Sequence, residues 1–318
     1  MTVSVHDDRT HGSFYETFAT IVWIDGNWVG LDHGIEADYA ASEAPCLTTV
    51  HPLIFGHGVR GAAVRDLRLE GNREESGKSM GGCRGGAVYF AHSRDVEITG
   101  VVERNYHGEG LSFQLCRDVR VRDCRFDGNS GNGMHPGAGS TNALFSGCSA
   151  EGNGLSGFFF CVRANHITVR ECAFRNNETG VSIGTRDCHN LIEQCAIEEN
   201  AEAGLLVRET PKPTEVHSCL IRDCRIGRNA FRGGKGQVEI QGDAHDLIFE
   251  RNEISGNREK PGVFAAPASS ELYFEANRFS ECGPQTAADA SSLTDRRPRF
   301  ECGYGEWPES LFRHLHTA

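Results

Sequence analysis

Three arginines recur at similar intervals in the middle of the chain, at Arg163, Arg186 and Arg208. Guanidinium groups placed side by side repel each other unless an anion or a carboxylate lies between them. One interpretation is a salt bridge from the first two arginines to Asp187 or another turn acid. The other is a clamp for the carboxylate or phosphate of a substrate, with Arg208 supporting it.

His135 begins the segment His135-Pro136-Gly137-Ala138-Gly139-Ser140. A strand interrupted by Pro and Gly is locally unfavourable, and such interruptions are typical of functional sites. The alternative is that His135 is an ordinary surface histidine at a turn and has no functional role. We predict four catalytic residues, namely His135, Arg186, Asp187 and Glu109. The predicted substrate-binding residues are Tyr89, His107, Ser112, Gln114, Phe159, Arg163, Arg208 and Glu209.

Metal binding receives little support from the sequence. His92, His107 and Glu109 could approach one another, but no pair among them has the compact spacing of zinc ligands. Cys116 and Cys161 are expected to be packed thiols, because nothing nearby in the sequence would lower their pKa. We therefore predict no metal and no cofactor.

The residues that could do chemistry lie within a repeat of about 24 residues. Its clearest mark is asparagine, at Asn72, Asn105, Asn129, Asn153, Asn177, Asn200, Asn229 and Asn257. A cysteine column precedes it, at Cys124, Cys148, Cys172, Cys195 and Cys224. Glycines follow, at Gly110, Gly133, Gly157, Gly180 and Gly204. Short units of this kind bury their apolar faces only by stacking, so we expect the asparagines to form a hydrogen-bonded ladder from coil to coil.

The repeat predicts an all-β, right-handed parallel β-helix of about eight coils over residues 51–283. Residues 1–50 contain a hairpin pattern around Gly26-Asn27 and are predicted to cap the first coil. Residues 284–318 form a tail with an amphipathic end, Pro308 to His316. The tail could cap the last coil or mediate association into a homo-oligomer.

Strand side chains alternate, so one strand of each coil has an inward and an outward row. The predicted inward residues are Val88, Leu111, Met134, Phe158, Val181 and Leu205. The predicted outward residues are Tyr89, Ser112, His135, Phe159, Ser182 and Leu206. Because this outward row is more apolar than a solvated sheet, we expect it to be covered by a loop or partner, or to receive a ligand.

Composition limits the class of partner. The net charge of −12 argues against nucleic acid. No apolar run is long enough to span a bilayer, and residues 1–11 lack the order of a secretory signal, so a cytoplasmic protein is expected. The thirteen cysteines are expected to be mostly reduced, buried and small apolar fillers, because several recur with the repeat.

The stretches Gly131-Asn132-Gly133-Met134-His135-Pro136-Gly137 and Gly152-Asn153-Gly154-Leu155-Ser156-Gly157-Phe158 resemble the catalytic coils of mannuronan C5-epimerases. More broadly, residues 51–283 resemble the pectate-lyase-like right-handed parallel β-helix superfamily. The epimerase motif Asp-Pro-His is absent, because this chain has His135-Pro136-Gly137. The resemblance implies the fold and a polysaccharide substrate, and it does not transfer the epimerase mechanism.

The leading hypothesis is an enzyme of the polysaccharide lyase or epimerase type acting on an acidic oligosaccharide or a sugar-containing small molecule. His135 would remove the proton next to the substrate carboxylate, the arginines would stabilise the resulting charge, and Tyr89 or His107 would donate a proton. Two alternatives remain. One is a glycoside hydrolase using Glu109, Asp187 and Glu209. The other is a non-catalytic sugar-binding β-helix.

Overall fold

The chain winds into a parallel solenoid in a computed structural model that describes residues 1–7, 16–49, 51–76, 79–80, 83, 85–256, 258–283, 293–294, 296–297 and 300. Its strands are numbered β1 to β31 in chain order. Within these residues, three parallel sheets contain nine strands each, and every strand pairs with its equivalents one coil before and after. Nine rungs span eight full turns, so the predicted all-β parallel β-helix of about eight coils is confirmed.

The three sheets are called sheet I, sheet II and sheet III in the order in which each coil visits them. Sheet I consists of β5 (Ile54–His57), β8 (Val88–Ala91), β11 (Leu111–Gln114), β14 (Met134–Pro136), β17 (Ser156–Phe159), β20 (Thr179–Ile183), β23 (Leu205–Val207), β26 (Val238–Ile240) and β29 (Val263–Ala265). Sheet II consists of β6 (Ala63–Arg65), β9 (Arg94–Thr99), β12 (Arg117–Arg122), β15 (Thr141–Ser146), β18 (Thr168–Arg170), β21 (Leu191–Glu193), β24 (His217–Arg222), β27 (His245–Glu250) and β30 (Leu272–Glu275). Sheet III consists of β7 (Arg68–Glu70), β10 (Val102–Arg104), β13 (Arg125–Asp127), β16 (Ser149–Glu151), β19 (Ala173–Arg175), β22 (Ala196–Glu198), β25 (Arg225–Gly227), β28 (Glu253–Ser255) and β31 (Arg278–Ser280).

The N-terminal region forms a separate antiparallel sheet. Its strands are β1 (Thr2–His6), β2 (Glu16–Asp25), β3 (Trp28–Leu31) and β4 (Cys46–Thr48), in the order β3-β2-β1-β4, and a short 3-10 helix spans Ala41–Glu43. Phe18 of β2 packs edge-on against Phe55 and Tyr89, with ring centroids 5.1 and 5.9 Å away. The predicted cap region therefore contacts the side of the first two coils, on the outer surface of sheet I.

The interior of the solenoid is apolar and continuous. Phe113, Phe145 and Phe158 are fully buried and stack from coil to coil, with successive ring centroids 6.0 and 4.7 Å apart. The cysteine column lies in the same core and contains no disulfide, as predicted. Its members, at most 2% exposed, are Cys124, Cys148, Cys172, Cys195 and Cys224.

The asparagine ladder is confirmed for five rungs. The backbone N–H of each of the first four rungs donates to the side-chain oxygen of the next, at 3.0 Å in every case. The rungs are Asn129, Asn153, Asn177, Asn200 and Asn229. At one end Tyr106 N–H donates to Asn129, and at the other Asn229 N–H donates to the side chain of Gln237. The ladder therefore pairs backbone groups that a buried turn would otherwise leave unsatisfied.

Two of the predicted rungs are not part of the ladder. Asn105 lies one position before the ladder residue of its coil, which is Tyr106. Asn72 makes no ladder hydrogen bond among the described residues, and both asparagines have the left-handed conformation, with φ of 49° and 59°. Asn257 lies outside the described residues. A repeat read from spacing alone thus placed the rung at Asn105 one residue early.

Glycine occupies this column because the asparagine side chains of the ladder fill the space that a Cβ would take. A Cβ at Gly157 would lie 2.7 Å from Asn177 Nδ2, and one at Gly204 would lie 2.4 Å from Asn229 Nδ2. Contacts this short are forbidden, so the two columns require each other. On the next coil Gln237 occupies the position equivalent to Gly204. A side chain fits there because the asparagine ladder ends at Asn229, whose N–H donates to Gln237 itself.

Little of the predicted tail is described. Leu293 bridges to Leu272 of β30, and Arg297 Nε lies 2.6 Å from Glu250. The amphipathic segment from Pro308 to His316 lies outside the described residues. In the part of the chain that the structure covers, no helix is long and apolar enough to cross a membrane.

Candidate functional site

The outward face of sheet I carries the predicted site, and the strand register places it as expected. Leu111 pairs with Met134, and Met134 with Phe158, all fully buried in the core. The residues that follow each of them point outward in one row, so Ser112, His135 and Phe159 lie on successive rungs. The alternation predicted for these strands is confirmed.

Half of this outward face is covered by other parts of the chain. Tyr89, Ser112, Gln114 and His135 are at most 7% exposed, and we call them the covered half. Tyr89 donates a hydrogen bond to the carbonyl of Cys83, which belongs to the segment that precedes β8. On the later rungs Phe159, Leu206 and Phe264 are partly exposed, whereas Ser182 and Glu239 are buried. The predicted cover is therefore present at one end of the row, and the other end is partly open.

The later rungs form what we call the open half, namely Phe159, Leu206, Arg208, Gln241 and Phe264. The Arg208 guanidinium lies 4.2 Å from the centre of the Phe159 ring, and Lys235 Nζ lies 4.7 Å from that of Phe264. Each cation rests on an aromatic face, an arrangement that holds it near the surface. Lys235, Gln241 and Phe264 were not identified from the sequence.

His135 is deeply buried, with 1% of its surface exposed. The hypothesis of a surface histidine open to substrate is therefore wrong, because Cys83 lies over it and the Phe159 ring contacts it at 5.1 Å. Burial alone would lower the pKa of His135, but the contacts with Cys83 and with the carboxylate of Glu109 outweigh it and raise the pKa to about 9. A histidine charged at neutral pH is a poor base.

Glu109 reaches His135 from the coil below. Its Oε2 lies 3.7 Å from His135 Nδ1 and accepts a hydrogen bond from the backbone N–H of Asn132 at 2.8 Å. Its Oε1 accepts a second bond from the Asn132 side chain at 3.2 Å. The carboxylate is therefore fixed in place by the next coil, through an asparagine that sequence reasoning missed although the motif Gly131-Asn132-Gly133 marked it.

Asp187 lies in the turn after β20 and is fully buried. It accepts backbone hydrogen bonds from Gly184 at 2.7 Å and Ala164 at 3.0 Å, and Arg208 Nη2 lies 3.7 Å away. Burial raises the pKa of Asp187 to about 6, although Arg208 and the backbone donors oppose the rise. A carboxyl group that titrates near neutral pH is suited to proton transfer.

Arg208 follows β23 and extends back across two coils. It donates to Ser182 Oγ at 2.5 Å and to the Phe160 carbonyl at 2.9 Å. Gly184 makes this path available, because a Cβ there would lie 2.0 Å from the Arg208 guanidinium. A side chain at position 184 would therefore displace the Arg208 guanidinium from this path.

Arg163 and Arg186 occupy equivalent turn positions on neighbouring coils, as predicted. Both are exposed, with φ of 66° and 58°, and Arg163 N–H donates to the carbonyl of Thr185. Neither has a carboxylate within ion-pair distance among the described residues. The salt bridge proposed to Asp187 is wrong, because that carboxylate faces Arg208 instead. The geometry is compatible with the other interpretation, in which Arg163 and Arg186 bind the anionic group of a substrate.

Several predicted binding residues have structural contacts. Gln114 donates to Ser112 Oγ at 3.1 Å and accepts from Ala138 N–H at 2.6 Å, so these two buried residues brace the turn after His135. His107 is hydrogen-bonded to the carbonyl of Ser76. Glu209 is exposed, unlike the buried Glu109 and Asp187, so the three acids suggested for a glycoside hydrolase do not share one open cleft.

One buried cluster was not anticipated. The ligand atoms of Cys83, His135 and Cys161 all lie within 4.8 Å of one another, and the two sulfur atoms are 3.5 Å apart. His92 instead contacts His57, with ring centroids 5.1 Å apart, so the histidines weighed in the sequence do not assemble with Glu109. Cys83 could not be found from spacing, because it lies outside the repeat.

Comparison with known proteins gives a family and similar structures. The family model described as the right handed beta helix region matches residues 86–233 and 157–297, which together exceed half of the chain. The A-module of a mannuronan C-5 epimerase from Azotobacter vinelandii is similar, with a TM-score of 0.56, 16% identity and 76% of each chain covered. An endo-xylogalacturonan hydrolase from Aspergillus tubingensis is also similar, with a TM-score of 0.57, 11% identity and coverage of 81% of this chain and 80% of that one.

Proposed function

The chain belongs to the right-handed β-helix family, and from that premise we propose that it is an enzyme acting on an acidic carbohydrate bound to the open half of sheet I. The observation that carries the proposal is a concentration of cations on this face in a protein whose net charge is −12. Arg208 and Lys235 rest on aromatic rings and lie 3.7 and 3.9 Å from the buried acids Asp187 and Glu239, whereas Arg163 and Arg186 are exposed nearby without a carboxylate partner in the described chain.

Aromatic rings and guanidinium groups suit a charged sugar. The apolar face of a pyranose can stack on Phe159 or Phe264, while its carboxylate forms paired hydrogen bonds with an arginine. Similar structures include a mannuronan epimerase and a xylogalacturonan hydrolase, and these names support a carbohydrate as the substrate class. Their low identity leaves the reaction to be argued from this chain's own residues.

The reaction that fits best is removal of the proton on the carbon next to the sugar carboxylate. The C–H electron pair moves into the carboxylate, and Arg208 and Arg186 stabilise the added negative charge. Expulsion of the neighbouring glycosidic oxygen, which takes up the proton held by Asp187, then gives a lyase, whereas delivery of a proton from solvent to the opposite face gives an epimerase. We assign the proton transfer to Asp187, because its pKa of about 6 allows it to accept and to return a proton near neutral pH.

Asp187 is reached only when Arg208 moves. The guanidinium lies 3.7 Å from the Asp187 carboxylate and donates to Ser182 and Phe160. A substrate carboxylate offers Arg208 a better acceptor than a neutral hydroxyl or carbonyl. In the proposal, the substrate carboxylate therefore replaces Ser182 and Phe160 as the acceptor of Arg208, which turns toward the sugar but stays beside Asp187, whose pKa it holds down.

The test is a panel of uronate oligomers incubated with the protein, followed by absorbance of the unsaturated product, NMR of the C5 configuration and reducing-end analysis. We expect an unsaturated or epimerised product from at least one oligomer. Asp187→Asn should abolish turnover while the protein still binds the oligomer, and Arg186→Ala should weaken binding. Arg170→Ala is the matched control, because Arg170 is exposed on sheet II, away from the site.

A sugar-binding protein without catalysis is the second candidate, and the complete burial of Asp187 favours it. Binding of an oligomer without any product would establish this candidate and end the enzymatic proposal. New reducing ends without unsaturation would instead indicate a hydrolase. If no acidic oligomer binds, the assignment of the open half to acidic sugars is wrong.

A further inference from the structure

We propose that Cys83, His135 and Cys161 bind a zinc ion beneath the outward face of sheet I, with Glu109 supporting the histidine. The proposal does not depend on the sugar chemistry above. It rests on three potential ligands from three distant parts of the chain that meet in one buried cluster.

The spacing of the cluster suits a tetrahedral ion. The two sulfur atoms are 3.5 Å apart, and each lies within 4.8 Å of the histidine ligand atom. Zinc bonds of about 2.3 Å to sulfur and about 2.1 Å to nitrogen, at tetrahedral angles, separate such atoms by roughly 3.6 to 3.8 Å. The donors thus need to move by only about an ångström to enclose the ion.

The two buried ring nitrogens of His135 need a binding partner. Both ring nitrogens of His135 are buried, and neither has a hydrogen-bond partner within normal geometry in the described chain. Leaving such polar atoms buried and unpaired is costly. An ion bound by Nε2 would satisfy one of them, and a small closure of the 3.7 Å gap to Glu109 would satisfy Nδ1.

Glu109 lies where a carboxylate would accept the second ring N–H of a zinc-bound His135. Histidines that bind zinc usually donate their other ring N–H to a carboxylate, which fixes the ring orientation. Glu109 is itself held by two hydrogen bonds from Asn132, so it cannot easily turn away. Two thiols and an imidazole also form a donor set that selects zinc over magnesium or calcium.

The thiols of the cluster differ from those of the core column. Cys124, Cys148 and Cys172 direct their sulfurs to the backbone carbonyl two residues earlier, at 3.1 to 3.4 Å. Cys161 directs its sulfur to Cys83, which lies 78 residues away in the chain. A zinc ion at this point would tie Cys83 to His135 of β14 and to Cys161, which follows β17.

The test uses the full chain purified under reducing conditions, stripped with a chelator and reloaded with zinc or cobalt. We expect one zinc per chain by elemental analysis. The cobalt form should show thiolate-to-cobalt charge-transfer absorption and the visible bands of a tetrahedral site. Cys161→Ser should abolish the charge-transfer band, whereas Cys172→Ala, from the core column, should retain it.

X-ray absorption on the unaltered zinc protein provides a second readout if a variant fails to fold, and it should show two sulfur ligands and at least one imidazole. The proposal is overturned if the reloaded protein holds no zinc, or if its zinc has no sulfur ligand. It is also overturned if mass spectrometry of the reduced, reloaded protein finds Cys83 and Cys161 joined as a disulfide. Because none of these readouts uses a sugar, they are independent of the enzymatic proposal.

Discussion

The asparagine ladder and the outward face of sheet I are built on the same coils but by opposite rules. In the ladder, Asn129, Asn153 and Asn177 repeat one side chain, and each rung pairs with the next at 3.0 Å. On the outward face every rung differs, from Ser112 through His135 to Phe159, and neither His135 nitrogen has a hydrogen-bond partner among the described residues. Repetition lets neighbouring coils satisfy one another, whereas its interruption leaves polar groups available for a ligand.

This comparison predicts that changes in the ladder lower stability and that changes on the open half lower only function. The predictions below follow from it, ordered by the size of the expected change in the free energy of unfolding.

Gly180→Ala should have the largest effect. The added Cβ would lie 2.4 Å from both the Gly204 carbonyl oxygen and the Ile197 side chain, so the two coils must separate. We expect a loss of about 3 kcal/mol, the upper part of the range for overpacking. Urea denaturation measures it, with Gly34→Ala as the control, because a Cβ at Gly34 meets nothing within 4 Å. Equal stability of the two variants would contradict the coupling of the glycine and asparagine columns.

Asn153→Ala should cost about 2 kcal/mol. It removes the acceptor of the Asn129 N–H and the donor to the Phe126 carbonyl, both of which are buried. Asn27→Ala is the matched control, because Asn27 is exposed and is not among the residues with positive φ. Thermal denaturation of both variants measures the difference in melting temperature. An unchanged melting temperature for Asn153→Ala would show that the ladder is not a source of stability.

Glu103→Gln should increase stability at high pH by about 1 kcal/mol. Glu103 closes the ladder by accepting from Asn129 Nδ2, but its other oxygen is buried and has no partner in the part of the chain that the structure describes. Burial raises the pKa of Glu103 well above its ordinary value. A carboxyl group with a raised folded-state pKa favours folding below its unfolded pKa, and this contribution is lost as pH rises through the folded pKa.

The natural protein should therefore lose stability relative to Glu103→Gln as the pH rises, and the two should converge in acid. Denaturation of both proteins at a series of pH values measures this difference. Parallel curves at all pH values would mean that Glu103 does not titrate with a raised pKa.

Arg186→Ala should have the smallest effect on stability, within about 0.5 kcal/mol, because the side chain is exposed. It should nevertheless weaken binding of an acidic oligomer by about tenfold, the effect of losing about 1.4 kcal/mol of charge-assisted hydrogen bonding. Calorimetric titration with the acidic oligomer measures the change in affinity, and a neutral oligomer is the control ligand. Equal affinity for both proteins would remove Arg186 from the site.

Much of the fold was predictable from local repetition. Cysteine, asparagine and glycine columns recur at a nearly constant spacing, and alternation within each strand identified the inward row from Val88 to Leu205 correctly. Register errors arose only where the repeat is imperfect. Asn105 looked like a rung, but the one-residue shift to Tyr106 depends on the pairing of that coil with the next.

For the candidate site, the sequence singled out residues that the structure brings close together, but it did not predict their contacts. Glu109, His135, Asp187 and Arg208 were all identified from the sequence, but their partners were not. His135 was expected at the surface, and Asp187 was expected to pair with Arg163 or Arg186. Each of these contacts depends on where a loop or a long side chain lies across several coils, which the spacing of residues does not encode.

The sequence by itself determined the period, the strand alternation and the ladder chemistry, because those properties come from neighbours along the chain and from their equivalents one repeat away. Only the tertiary structure decided that Cys83 lies against Cys161, 78 residues distant, and that Arg208 extends back over Phe159. Both contacts join parts of the chain that no repeat relates. Their geometry is set by how the covering segment and the long side chains pack on the finished solenoid.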